Sequence, residues 1–131
     1  MRLLATLFGL IALGTHGAAE RQHTIASATV EDFRVVVRAF EGPDDGGAPL
    51  ASVRLEALVK KGGSWRLVGR RTVGRPNGFF WFPLTGPGAI RQFSVESFPV
   101  RRVRFQLLIT PSAGFSPLYR FHLEGARLVP G

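Results

Sequence analysis

The sequence predicts an all-β domain, an antiparallel sandwich of seven or eight short strands. Three observations predict it. Apolar and polar residues alternate with a period of two in almost every segment past the N-terminal leader. Turn signals recur at roughly 8–12-residue spacing, and no segment carries a convincing apolar stripe of helical period.

The leader comes first. Arg2 supplies a positive charge, Leu3 to Leu13 is a run of apolar and small residues, and Gly17-Ala18-Ala19 offers the small residues a signal peptidase reads. The run is too short to span a bilayer, for which about 20 residues are needed. As a buried helix, Met1 to Ala19 has no polar face to show solvent. Residues 1–19 are therefore expected to be a signal peptide cleaved after Ala19, and residues 20–131 a single domain of 112 residues. The chain is expected to be secreted or periplasmic, with no transmembrane segment in its mature form.

The strands follow in order. Asp32 to Phe40 sets Phe33, Val35, Val37 and Ala39 against Arg34, Val36, Arg38 and Phe40. "EGPDDGGAP" is a loop by every turn signal. Val53, Leu55, Ala57 and Val59 then alternate with Arg54, Glu56, Leu58 and Lys60. "KKGGS" turns the chain and Trp65 to Val73 returns it as a hairpin. After the turn "GRPNG" comes "FFWF", read as a strand with Phe80 and Phe82 in the core and Phe79 and Trp81 on the opposite face. Ile90 to Glu96 is short and ambiguous. Arg101 to Thr110 is the clearest strand, with Val103, Phe105, Leu107 and Ile109 inward and Arg102 and Arg104 outward. Leu118 to Leu123 sets Tyr119, Phe121 and Leu123 against Arg120 and His122, and a last strand runs through Ala126 to Val129.

Val53 to Phe82 resembles the central hairpin of bacterial secreted immunoglobulin-like and fibronectin type III-like modules. The residues that carry the resemblance are Gly62-Gly63, Trp65, Val68, Thr72, Gly78, Phe80 and Phe82. It implies an immunoglobulin-like sandwich, a buried Trp65, and a role as an accessory, adhesive or spacer module without catalytic residues. The cysteine pair of antibody domains is missing, since the chain has no cysteine at all.

Composition narrows the function classes. The formal charge is +8, from 17 basic against 9 acidic residues. All but Lys60 and Lys61 of the basic residues are arginine, which grips anionic groups bidentately. Arg34, Arg38, Arg66, Arg70, Arg102 and Arg104 fall on outward positions of their strands. If those strands share a sheet, its outer surface is a basic plate suited to acidic polysaccharide, cell-wall polymer or phospholipid headgroups; otherwise the arginines are a solvated face. Nucleic acid is attracted by the same charge, but no specific nucleic-acid motif is present. Phe79 and Trp81, if exposed, are candidates for a glycan platform or a protein or homodimer contact. If the loop "PSAGFSP" covers them, that clue disappears.

Glu41, Asp44 and Asp45 sit on a glycine-rich loop able to wrap calcium, without the spacing of a calcium motif. No cofactor is implied. Catalysis finds little support: beyond the leader the histidines are His23 and His122, there is no nucleophile elbow or zinc pair, and Glu56, Glu96 and Glu124 are scattered over different strands. The expectation is a non-enzymatic binding module, with a self-associating structural protein as the alternative.

Overall fold

The computed structural model describes residues 21–43, 46–47, 49–108 and 117–131. The expected leader, Asp44 and Asp45 of the acidic loop, and Pro111–Ser116 of the loop expected to cover the aromatics lie outside the described residues.

Two antiparallel sheets make the fold. The first is β1 (Gln22–Val30), β2 (Phe33–Glu41), β3 (Leu50–Lys61) and β4 (Ser64–Val73), paired in that order. A two-residue strand, β5 (Phe79–Phe80), pairs with the start of β3, and one helical turn, α1 (Trp81–Leu84), follows it. The second sheet is β6 (Ile90–Glu96), β7 (Arg102–Leu107), β8 (Leu118–Glu124) and β9 (Arg127–Pro130), again in sequential order. β1 lies beside β6 and β4 beside β9, so the edges of the two sheets approach on both sides.

The all-β antiparallel expectation holds. The immunoglobulin-like strand order does not: that family deals its strands between two sheets by Greek-key connections, whereas here each sheet is a run of consecutive neighbours. The hairpins explain why. Gly62 and Gly63 both have positive φ, at 59° and 86°, the backbone twist that lets a two-residue loop return a strand directly onto its neighbour. Alternation alone does not reveal β1. Its Ser, Thr and Ala residues give little apolar contrast, and a bulge at Ile25 interrupts its period.

The core lies between the sheets. Phe33, Val35, Val37 and Ala39 of β2 meet Val53, Leu55, Ala57 and Val59 of β3 in direct register on one side. Val103, Phe105, Leu107, Phe121 and Leu128 supply the other. Phe105 is the centre of an aromatic group, 6.4 Å from Phe93 and 5.5 Å from Tyr119. Burial pushes the Tyr119 phenol above its ordinary pKa.

The aromatic stretch reverses the expected orientation. Phe79 is 4% exposed and Trp81 5%, both in the core, while Phe82 is 61% exposed. Phe79 is in register with Ala51 and Phe80 with Leu50. Ala51 faces the core, so its partner Phe79 must as well. The Trp81 amide then donates to the Pro49 carbonyl, and the chain enters α1. Helical period replaces strand period there, putting Trp81 and Leu84 inside and Phe82 outside.

Candidate functional site

The outer surfaces of the two sheets carry the arginines. Along β2 and β3 the core residues are fixed by alternation, so Arg34, Arg38, Arg54 and Glu56 are set on the far side. Register then aligns Arg38 with Arg54 and Glu56 with Arg70 across neighbouring strands. The face is tied down internally. Arg38 Nε donates to Glu56 Oε1 at 3.0 Å, and Arg38 Nη1 donates to Thr24 Oγ1 at 2.9 Å. The Arg54 guanidinium stacks 4.0 Å from the Phe40 ring centroid, which keeps that outward ring covered.

Trp65 belongs to this face rather than to the core. It is half-buried and in register with the outward Lys60. The Arg34 guanidinium lies 4.3 Å from its ring centroid and the Lys60 ammonium 5.9 Å, a cation–π arrangement. A signal for this was present: an aromatic opposite an outward lysine across a tight hairpin shares the lysine's face.

Arg66 and Arg70, expected on one face, are separated. The β3–β4 register slips by one residue between Ala57 and Leu58, so Arg70 opposes outward Glu56 but Arg66 opposes inward Val59. A bulge shifts side-chain parity by one, which strand spacing alone does not reveal. Arg66 stays exposed at the end of the edge strand.

Arg102 and Arg104 lie on the second sheet, so the single basic plate is two separate faces. Arg102 is paired with Glu96 at 3.5 Å. Arg104 is in direct register with Arg120 on β8. These two exposed arginines have neither a salt bridge nor a side-chain hydrogen bond among the described residues. With Ser94, Glu96, Arg102 and Gly131 they line a cavity of about 120 Å³.

Phe79 and Trp81 are withdrawn from any surface site by their burial. No exposed ring at either position can stack a sugar or make a homodimer contact. The Arg21 guanidinium caps Trp81 at 5.6 Å from the ring. Glu41 of the acidic loop forms a bidentate pair with Arg21, at 2.6 Å for each oxygen. That pairing raises the Arg21 pKa, chiefly through the hydrogen bond to Glu41. Among the described residues, no three His, Cys, Asp or Glu side chains group as metal ligands. No described helix is long and apolar enough to cross a membrane.

His122 has the most distinctive acid–base setting. Its Nε2 lies 2.7 Å from Glu124 Oε2 and its Nδ1 3.1 Å from the Gly131 carbonyl. Both partners are acceptors, so only the imidazolium, with two N–H donors, satisfies both. The hydrogen bond to Glu124, then that to Gly131, raises the His122 pKa above its ordinary value, while Arg102 opposite it on β7 pulls the other way. The resulting stability is fully present below about pH 6.5, the unfolded value. It is lost as pH rises through the higher folded value. In a pH titration followed by NMR of the imidazole protons, His122 should show a midpoint above the ordinary histidine value of about 6.5. Glu124→Gln should lower it.

The three carboxylates considered for catalysis are each engaged with a cationic or ring-nitrogen partner: Glu56 with Arg38, Glu96 with Arg102 and Glu124 with His122. No protein-family model, curated protein or solved structure matches this chain.

Proposed function

We propose that the chain is an exported, non-catalytic β-sandwich module that binds an acidic polymer, an acidic polysaccharide foremost, through the arginines on its outer faces. The observation that carries this reading is the imbalance of charge on both sheets. Arg34, Arg38, Arg54 and Arg70 stand on the outer side of the first sheet with Glu56 as the acid in register among them. Arg102, Arg104 and Arg120 stand on the second with Glu96 and Glu124. An excess of fixed positive charge on a small, rigid surface attracts polyanions from solution and releases their counterions on binding. The leader-like first 19 residues support export, which favours an envelope or extracellular polymer over nucleic acid.

Rigidity adds to charge. Arg34 is held by Trp65, Arg54 by Phe40 and Arg38 by Glu56. Less side-chain freedom then remains to be lost when a ligand arrives. The mature protein, residues 20–131, should be retained on immobilised heparin at low salt and pass through neutral dextran. Flow-through on both columns would leave the arginines as solubility charge and sink the proposal.

A further inference from the structure

Within this polyanion-binding reading, on which the inference rests, the second sheet holds a discrete position. We infer that Arg104, Arg120 and Ser94 form a site for one tetrahedral oxyanion, a sulfate or phosphate ester group carried by the polymer.

Like charges directly opposite on adjacent strands repel, and Arg104 and Arg120 occupy such a register pair in the middle of the β7–β8 ladder. The other arginines of the two outer rows mostly have an internal use. Arg38 is engaged with Glu56, Arg102 with Glu96, Arg34 with Trp65 and Arg54 with Phe40. Arg104 and Arg120 have no such partner among the described residues, although Glu96 is close enough to line the same cavity. Glu96 pairs with Arg102, in direct register one pleat away, and leaves the Arg104–Arg120 pair uncompensated.

The remaining geometry suits an anion. Ser94 is in register with Arg104 on β6, so a hydroxyl stands on the third strand of the same row. Val103 and Phe105 on either side of Arg104 are locked in the core, which fixes the strand beneath the guanidinium. The cavity is several times larger than a single water needs. Two guanidinium forks and a hydroxyl offer more donors than a carboxylate's two oxygens can use. A tetrahedral oxyanion, with three or four acceptor oxygens, uses them better.

Sodium sulfate and sodium phosphate at low millimolar concentration, exchanged for chloride at constant ionic strength, provide the direct probes. Either should raise the melting temperature of the wild type, and neither should raise that of Arg104→Gln/Arg120→Gln. Without either anion the double variant should melt no lower than wild type, because the repelling pair is gone. An unchanged response to both anions in the double variant overturns the site.

Heparin affinity separates this site from the wider reading. Arg66→Gln/Arg70→Gln removes the same charge from the first sheet. The Arg104/Arg120 variant should lose about tenfold more affinity than that control. Equal losses would leave polymer binding standing and remove the site. Failure of the wild type itself to bind heparin would remove the wider reading. Preference for phosphatidylglycerol vesicles over heparin would overturn the polysaccharide source.

Discussion

Trp81→Ala should lower the unfolding free energy by about 3–5 kcal/mol, as emptying an aromatic site in a packed core does. Trp81 is 5% exposed and packs within the main core cluster beside Phe79 and Leu84. The loss should appear as a urea midpoint lowered by on the order of 2 M. Phe82→Ala, one residue along, should cost less than about 1 kcal/mol, since that ring is 61% exposed and has little to lose. The two substitutions therefore test the phase of the aromatic stretch. A strand continuing through Phe82 predicts the reverse ranking, and equal costs would contradict the helical turn at Trp81–Leu84.

Removing four arginines should abolish most polymer binding without unfolding the domain. Arg66, Arg70, Arg104 and Arg120 are all exposed, and their side chains have no salt bridge or hydrogen bond among the described residues. Each arginine near an anionic surface contributes about 1 kcal/mol, and the Arg104–Arg120 site adds about a further factor of ten, so replacing all four with Gln should weaken heparin binding about 10⁴-fold. The midpoint of urea unfolding should stay within the range of ordinary surface changes, about 0.5 kcal/mol for each site. Isothermal titration beside a urea curve gives both numbers. A binding loss matched by an equal loss of stability would assign the effect to folding rather than to the surface.

Much of this architecture is legible from alternation. β2, β3, β7 and β8 place an apolar residue at every second position, and the inward sets of β2, β3 and β7 are buried as that pattern implies. Three things escaped it, each because it depends on the partner strand. The phase of Phe79 is dictated by Ala51, and nothing within "FFWF" encodes that pairing. The bulge at Ala57/Leu58 separates Arg66 from Arg70, and it is a property of the β3–β4 ladder. Trp65 faces outward because Lys60 does, although its size alone suggests the core.

Strand order escaped for a related reason. Alternation shows which face of a strand is buried but not which strand lies beside it. The hairpin "KKGGS" was recognisable because its two glycines specify a local return. The sequential order of the two sheets rests on further short connections, and the resemblance to immunoglobulin-like modules pointed elsewhere. The arginine rows were legible residue by residue. Their division into two faces, and the direct register of Arg104 with Arg120, required the sheets to be assembled.

On the proposed reading, fixed arginine charge, rather than exposed aromatic surface, binds the ligand. The dissociation constant for heparin, measured for residues 20–131 by titration from about 50 to 200 mM sodium chloride, tests this. On a log–log plot binding should weaken steeply with salt, with a slope reduced by about one for each arginine removed. Binding that is indifferent to salt, or no binding at 50 mM, would contradict it.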